Sequence, residues 1–424
     1  MPVAPSRFHF DIAIIGGGVA GLWLANRLAN TGYSLALFES KALGSDQTVA
    51  SQGMIHGGMK YTLSGTLTGA SEAIAEMPRH WRACLCGEGD VDLRNTRILS
   101  DHFFMWSSET MTSRLTTFLA SKLTRGRVEP VADDKRPPLL RNNHFSGSLY
   151  RLEDLVLDVP SLVTNLANNL PSRVFQVEEN STRLTAAANG EVSLITEQDG
   201  RSIEVTAQRI VLTAGKGNAA LLQQLGLQQP AMQVRPLQQV MVKHHYPHRF
   251  YGHCLGAETT PRLTISSHTT SYGAPVWYLG GSLAERGVHQ DAAELIESAK
   301  QELADLMPWL DFSEAEWATL PVERAEPLQR HFARPDNAFA TQVVGVNNLI
   351  LGWPTKLTLA PNLANEILAL LNKDAITPGS ATNEAAELGR HLMRAPIAKT
   401  PWDIAFPPPP DSSLTDDEAT DADT

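Results

Sequence analysis

The first forty residues carry two short, nearly unbroken runs of hydrophobic residues. Residues 10–15 and 33–38 are mostly apolar, and the stretch between them begins with three glycines and continues with small and apolar residues. Apolar runs of this length, bounded by turn signals, predict strands that are buried on both faces, as in a parallel sheet. The order strand, glycine turn, helix, strand predicts a βαβ unit at the start of the chain.

The glycine turn of this unit has the spacing of a dinucleotide-binding site. Gly16 permits a tight turn, Gly18 lets backbone N–H groups approach a pyrophosphate, and Gly21 lets the helix pack closely on the sheet. The N-terminus of the helix adds partial positive charge. An acid at the end of the second strand accepts the ribose hydroxyls, which disfavours NADP and leaves NAD and FAD open. The predicted contacts are Gly16, Gly18, Val19, Ala20, Gly21, Glu39 and Ser40.

The middle of the chain is predicted to insert a second domain into the nucleotide-binding fold. Residues 235–323 alternate between apolar and polar with the period of a strand, and then show a helical pattern over 292–307. Residues 83–146 are loop-like around a basic helix at 113–123. The predicted fold class is α/β, or α+β overall, with a Rossmann-like domain that is discontinuous in sequence and a second, mixed-sheet substrate domain. The predicted bounds are 1–82, 147–234 and 324–375 for the first domain, and 83–146 and 235–323 for the second.

Composition narrows the class of protein without naming a substrate. The chain has 424 residues, 42% of them hydrophobic, and a formal net charge of −11. It has no apolar run of the about 20 residues that span a bilayer, no secretory cleavage pattern, and three cysteines that cannot form a disulfide framework, so we expect a cytoplasmic protein. Residues 411–424 hold six acids and no basic residue. We therefore predict a disordered acidic tail over 396–424 and no nucleic-acid partner.

A second segment rich in small residues follows the βαβ unit. Residues 50–61, Ala-Ser-Gln-Gly-Met-Ile-His-Gly-Gly-Met-Lys-Tyr, place five small residues around one histidine, which suits a backbone that passes close to a flat ligand. The segment resembles the loop after the ribose-binding strand in the D-amino-acid oxidase-like FAD oxidoreductases, which include glycine oxidase, sarcosine oxidase and FAD-dependent glycerol-3-phosphate dehydrogenase. The resemblance implies FAD contacts from Ser51, Gln52, Gly53, His56 and Gly57.

Four further segments resemble the same family in the same order along the chain. They are residues 213–215, 236–242, 277–285 and 352–361, and the resemblance extends to about residue 375. It implies FAD as the cofactor in place of NAD. It also implies that Lys356 lies beside the flavin N1–C2=O edge, where reduction places negative charge. The remaining implied FAD contacts are Ala214, Gly215, Gly352, Leu357 and Thr358.

The resemblance also implies an enzyme that oxidises a small amine, amino acid or hydroxy acid by hydride transfer to flavin N5. The implied catalytic residues are His56, Arg324 and Tyr278. Glycine-oxidase-like relatives bind the substrate carboxylate with an arginine near the position of Arg324, but theirs is followed directly by proline. Here Pro327 comes three positions later, and an ion pair of Arg324 with Glu323 or Glu326 is the alternative.

The role of His56 has three interpretations. The residue is joined to the flavin, lies beside its ring without a bond, or holds the loop in place. We expect noncovalent FAD, because the neighbours of His56 differ from those in covalently flavinylated relatives. His244 and His245 are adjacent on a predicted strand and point to opposite faces, so with His248 they do not predict a metal site.

Three functional classes stay open. The favoured class is an FAD-dependent oxidoreductase of a small, anionic substrate. The second is a flavin-binding subunit or module with little activity of its own, and the third is an NAD-linked Rossmann dehydrogenase, which needs neither the 51–61 loop nor Lys356. The electron acceptor and the oligomeric state are open as well.

Overall fold

The structure, a computed structural model, describes residues 5–57, 74–108, 128–256, 260–379 and 383–409. Its strands are β1 (Ser6–Ile15), β2 (Leu35–Glu39), β3 (Met54–Ile55), β4 (Ile98–Ser100), β5 (Phe103–Trp106), β6 (Val128–Pro130), β7 (Leu149–Leu152), β8 (Leu155–Leu157), β9 (Val174–Gln176), β10 (Arg183–Ala186), β11 (Val192–Gln198), β12 (Arg201–Leu212), β13 (Met232–Lys243), β14 (Tyr251–Cys254), β15 (Leu263–Thr269), β16 (Pro275–Gly280), β17 (Glu316–Pro327), β18 (Phe339–Gln342) and β19 (Leu349–Trp353).

The α-helices of these ranges are α1 (Val19–Asn30), α2 (Met77–Leu85), α3 (Val159–Asn168), α4 (Gly217–Gln224), α5 (Ser282–Arg286), α6 (Ala292–Leu306), α7 (Ala360–Lys373), α8 (Glu384–Leu388) and α9 (Pro401–Ala405). Pro361 lies in the first turn of α7. A backbone N–H at this position has no acceptor within the helix, so proline removes no helical hydrogen bond there. Within the described ranges, no helix combines the length and the apolar character that crossing a bilayer requires.

The first sheet is built around β1. Its strand order is β10-β11-β12-β1-β2-β9, with β19 beside β12 and β18 beside β19. β1 runs parallel to β2 and to β12. Ile12 and Ile14 belong to the buried cluster that contains α1, whereas Phe10 and Ala13 belong to the cluster on the opposite face. The unbroken apolar run is therefore explained by a strand covered on both faces, and the predicted βαβ unit is confirmed.

The second sheet has eight strands in the order β17-β13-β16-β15-β14-β5-β7-β6. β14 and β5 are parallel, whereas β13 and β17 pair antiparallel over their whole length. α6 covers one face with Leu295, Ala299 and Leu303, which pack into the same cluster as Val240 and Trp277. A mixed sheet with one helix-covered face matches the predicted second domain. Buried residues outside the helix-covered cluster, such as Met241 and Tyr278, pack with Trp402 and Phe406.

The sheets shift the predicted domain bounds. β7 pairs with β5 and β6, so residues 149–152 belong to the second sheet. β17 runs to Pro327, which places Arg324 on the second sheet as well. Conversely, Trp81 and Cys84 of α2 pack in the core around α1, and β4 pairs with β8 in a small sheet, β3-β8-β4, at the edge of that core. The predicted basic helix at 113–123 lies outside the described residues.

Residues 396–398 bridge to Leu43 of the first domain and α9 packs on the second sheet, so the prediction of a disordered segment from residue 396 is wrong for residues 396–406. The Thr400 hydroxyl accepts a hydrogen bond from the Asp403 N–H at 3.1 Å and begins α9. Trp402 stacks on His268 with 4.1 Å between ring centroids, and Phe406 is buried in the same cluster. Two aromatic anchors thus order a segment whose average composition is that of a loop. The acidic residues 411–424 lie outside the described residues.

Candidate active site

The glycine turn brings β1, α1 and the end of β12 into very close contact. Gly16 has φ +110°, and a Cβ there would lie 2.6 Å from the backbone of Ala214. A Cβ on Gly21 would lie 2.0 Å from the Gly16 carbonyl oxygen. Val19 and Ala20 form the first turn of α1 behind the extended residue Gly18. The turn therefore has room for backbone alone, which leaves the N-terminus of α1 open to a ligand.

Glu39 ends β2 and faces this turn. One carboxylate oxygen accepts the Gly17 N–H at 2.7 Å, and the other accepts the Lys41 N–H at 2.8 Å. Burial raises the pKa of Glu39. Ser40, the next residue, is half-buried. A carboxylate has about four lone-pair sites, so Glu39 can hold the turn and still accept hydroxyl donors from a ligand.

The loop at residues 50–53 is fastened to β16 of the second sheet. The Gln52 amide donates to the Tyr278 carbonyl at 3.0 Å, and the Tyr278 hydroxyl donates to the Ala50 carbonyl at 3.0 Å. A Cβ on Gly53 would lie 2.1 Å from the Leu157 carbonyl oxygen. The Ser51 hydroxyl is buried and has no hydrogen-bond partner among the described residues. An unpaired buried hydroxyl is costly unless a ligand completes it.

Tyr278 is not available to a substrate. It is 0% exposed, its hydroxyl is committed to Ala50, and burial raises its pKa. This geometry does not fit the role of Tyr278 as a catalytic residue that contacts the substrate. Tyr278 instead holds the 50–53 loop against the sheet.

The segments around His56 and Thr358 form one hydrogen-bonded unit. The His56 N–H donates to the Thr358 hydroxyl at 3.3 Å, and that hydroxyl donates to the Met54 carbonyl at 3.2 Å. The Gly57 N–H donates to Asp154 at 3.0 Å, and Leu357 begins the short 3₁₀ turn that carries Thr358. The histidine loop and the C-terminal motif, separated by 302 residues, therefore lie together.

A second junction joins Ala214 and Gly215 to Gly352. The Asn218 side chain accepts the Ala214 N–H at 2.8 Å and donates to the Gly352 carbonyl at 3.3 Å. The Trp353 indole donates to the Gly215 carbonyl at 3.0 Å. The sequence offered no signal for Asn218, because its role depends on a partner more than a hundred residues away.

Lys356 is buried and is not an exposed surface lysine. Its side chain is 6% exposed, and its Nζ lies 3.4 Å from the Asp336 carbonyl oxygen and 3.8 Å from the Asp336 carboxylate. Burial, followed by the nearby charge of Arg334, lowers the pKa of Lys356 to about 8. A buried ammonium of this kind favours an anionic group in the adjoining space.

Arg324 lies on β17 with its Nε donating to the Arg235 carbonyl at 3.1 Å. The alternative ion pairs do not form, because Glu323 pairs with Lys216 and Glu326 pairs with Arg235. The terminal amino groups of Arg324 have no acceptor among the described residues. Burial, together with the charges of Arg235 and Arg334, lowers the pKa of Arg324 to about 10. The planar fork of this guanidinium is thus left for an acceptor that the described residues do not supply.

Among the described residues, one cluster of metal-type ligands occurs. The ligand atoms of His80, Cys84 and Asp90 lie within 4.8 Å of one another. The Arg27 guanidinium already pairs with Asp90, while His80 and Cys84 make hydrogen bonds to the same carboxylate. The charge of Arg27 opposes a divalent cation there, and a buried polar network explains the cluster.

Comparison with known proteins decides the family. The profile of the DAO family, described as FAD dependent oxidoreductase, matches residues 11–353. The chain belongs to this family. A relative named "Probable FAD-dependent oxidoreductase" from Pseudomonas aeruginosa is 49% identical over 403 residues, which cover 95% of this chain and 100% of that protein. The crystal structure of an FAD dependent oxidoreductase from the same organism covers the same shares, with a TM-score of 0.80 and 44% identity.

Solved structures of lower sequence identity share the fold. Glycine oxidase from Geobacillus kaustophilus has a TM-score of 0.61 at 17% identity, covering 89% of this chain and 97% of its own. The L-α-glycerophosphate oxidase of Mycoplasma pneumoniae, solved with FAD bound, has a TM-score of 0.63 at 14% identity, covering 89% and 98%. The predicted family, the fold class and FAD as the cofactor are confirmed, and the NAD-linked dehydrogenase is excluded.

Proposed function

We propose that FAD lies along the line of close contacts from the glycine turn to the C-terminal motif. The support is the fit of the residues: a turn with room for backbone alone, a carboxylate at its edge, and the unpaired buried hydroxyl of Ser51. The residues proposed to hold FAD are Gly16, Gly18, Val19, Ala20, Gly21, Glu39, Ser40, Ser51, Gln52, Gly53, His56, Gly57, Ala214, Gly215, Gly352, Lys356, Leu357 and Thr358.

We further propose that this FAD-dependent oxidoreductase oxidises a small amine, amino acid or hydroxy acid whose anionic group binds Arg324. One observation carries the proposal: the terminal amino groups of a largely buried guanidinium have no acceptor among the described residues. A carboxylate or phosphate matches that fork with two parallel hydrogen bonds. Bound FAD supplies the hydride acceptor.

The chain's own contribution is binding and orientation. Arg324 holds the anionic end of the substrate, so the carbon that loses hydride is set at a defined distance from it. The two hydrogen bonds that join Gln52 and Ala50 to Tyr278 hold the loop of the first domain in a fixed position on the second sheet. His253 shares a hydrogen bond with Thr264 at 2.8 Å on the sheet face that carries Tyr278, and this pair is a candidate for contact with the amine or hydroxyl.

Anaerobic bleaching of the flavin tests the proposal. The purified protein is mixed without oxygen with amino acids, primary and secondary amines, 2-hydroxy acids and glycerol 3-phosphate, and absorbance of oxidised flavin is followed. We expect at least one anionic compound to reduce the flavin faster than its neutral amide or ester. Faster reduction by a neutral compound contradicts the anion site. Absence of reduction by the whole panel favours a flavin-binding subunit that needs a partner.

Replacing Glu39 with alanine is expected to weaken FAD binding about 10- to 150-fold, since a hydrogen bond to a charged group contributes about 1.5–3 kcal/mol. The variant also loses the contact that holds the Gly17 N–H. Fluorescence titration of apoprotein with FAD measures the affinity, and Glu314→Ala, at an exposed acid, is the control. A dissociation constant within twofold of the wild type would remove Glu39 from the FAD site.

Replacing Lys356 with methionine is expected to lower the flavin reduction potential by about 43 mV. A cation about 4 Å from reduced flavin, at an effective dielectric constant of about 20, stabilises it by up to about 4 kcal/mol. About half of this energy, about 2 kcal/mol, is taken to remain after solvation. For a two-electron reduction this energy corresponds to the shift of about 43 mV, at about 30 mV per 1.4 kcal/mol. Equilibration with a reference dye measures the potential, and Lys300→Met, at an exposed lysine, is the control. A shift below about 10 mV would place Lys356 away from the flavin.

A further inference from the structure

Arg324 has a second arginine directly opposite it on the neighbouring strand. In the antiparallel pairing of β13 with β17, Arg235 is the register partner of Arg324. Directly opposite residues of such a pair project from the same face of the sheet, with Cα atoms about 4.5–5.5 Å apart. Two like charges in this position are unfavourable on their own. Left unpaired, they would form a site for a ligand with two anionic groups.

Glu326 neutralises the charge of Arg235, one of these two arginines. Its side chain is 1% exposed, and its two carboxylate oxygens accept hydrogen bonds from Arg235 at 2.7 and 2.8 Å. The Gln233 amide also donates to this carboxylate at 3.3 Å and to the Ala333 carbonyl at 2.9 Å. The edge of the Arg235 guanidinium formed by Nε and Nη2 is therefore taken up by a buried partner on its own sheet face, and that carboxylate offsets the positive charge of Arg235.

Two other cations near Arg324, Lys356 and Arg334, do not take over the role of Glu326, because a cation cannot neutralise Arg235. Lys356 is held against Asp336, and Arg334 is exposed in the loop after β17. Gln233 accepts the Gln329 N–H at 3.0 Å, so the network around Glu326 also anchors the start of that loop. The one guanidinium on this face whose terminal amino groups lack an acceptor among the described residues is that of Arg324.

We propose that Glu326 is a specificity-determining residue, which by neutralising Arg235 restricts the substrate to one anionic group at Arg324 and disfavours dianions. The proposal rests on the proposed function of Arg324 as the anion ligand. It assigns the substrate to the monocarboxylates: amino acids or hydroxy acids whose side chain carries no second acid. Glu326 acts through Arg235 and does not itself contact the substrate.

Two probes of equal carbon number test this on the FAD-loaded protein. Propionate and malonate are titrated at pH 7.5, and binding is read from the change in the visible flavin spectrum. For the wild type we expect propionate to bind at least as tightly as malonate. In Glu326→Gln, which frees Arg235 and keeps the side-chain shape, we expect the affinity for malonate relative to propionate to rise at least about tenfold. Arg235→Gln/Glu326→Gln, which removes the second guanidinium, is expected to restore the wild-type ratio.

The outcomes separate this proposal from the function of Arg324. Wild-type preference for malonate by about tenfold or more overturns the role of Glu326 without any variant. An unchanged ratio in folded Glu326→Gln does the same, because a purely structural residue alters both affinities alike. If Glu326→Gln does not fold, the wild-type ratio decides, with Glu326→Asp as the charge-retaining comparison. Loss of binding of both probes in Arg324→Met supports the anion site, whereas unchanged binding there, or no binding to the wild type, overturns the proposed function itself.

Discussion

Replacing Arg324 with lysine is expected to raise KM strongly and to lower kcat/KM about 10- to 150-fold, the equivalent of about 1.5–3 kcal/mol for a charged hydrogen bond. Lysine keeps the positive charge, but its ammonium cannot reproduce the planar two-point contact of a guanidinium. Steady-state kinetics with the compound that bleaches the flavin fastest measure the effect. The loss is expected mainly in KM if the anion binds equally in the ground and transition states.

Arg201→Lys is the matched control for this experiment. Arg201 is exposed at the start of β12 and lies on the first sheet. We expect kinetics within twofold of the wild type for this variant. Equal kinetics for Arg324→Lys and the wild type would assign the guanidinium a structural role and leave the anion site to another residue.

Replacing Gly21 with alanine is expected to give protein that loses FAD. The added Cβ meets the Gly16 carbonyl oxygen at 2.0 Å and the Thr213 hydroxyl at 2.7 Å, and both belong to the junction of β1, β12 and α1. Relief of this clash displaces α1, at a cost of about 3 kcal/mol or more, which corresponds to about a 150-fold loss of affinity for FAD. The ratio of flavin to protein absorbance after purification measures FAD retention.

Gly389→Ala is the control for this substitution. Gly389 follows α8, and a Cβ there meets its nearest neighbour at 3.4 Å, an ordinary contact. We expect wild-type flavin content for this variant. Full flavin content in Gly21→Ala would mean that α1 can shift without disturbing the FAD site.

Local sequence was sufficient for the first βαβ unit. β1 is covered on both faces, so an unbroken apolar run marks it. The glycine spacing marks the turn, although the backbone that Gly16 must clear is that of Ala214, far along the chain. The sequence pattern did not indicate the role of Thr48. Its hydroxyl accepts the Val19 N–H at 3.1 Å at the N-terminus of α1, but its position depends on the fold of the intervening loop.

The second sheet shows what periodicity cannot supply. Alternation predicted its strands, but it does not state which neighbour covers each face. The family resemblance implied that Tyr278 is catalytic, whereas its hydroxyl donates to a carbonyl 228 residues away. The pairing of Arg235 with Glu326 likewise depends on the register of strands separated by 91 residues. Trp402 and Phe406 anchor the C-terminal segment through a few buried contacts. The average composition of the segment, on which the prediction of disorder was based, does not reveal such contacts.

The position of β19 has a consequence for biosynthesis. β12 is complete at residue 212, but its partner β19 is not made until residues 349–353. In the interval a nascent chain leaves the last residues of β12, 210–212, without their partner on that edge, and exposed strand edges promote association between chains. The second sheet has the same delay, because β13 is synthesised well before its pairing partner β17. Neither half of the molecule can therefore finish folding on the ribosome before nearly all of the chain has been translated, and truncated products ending before residue 349 are expected to aggregate.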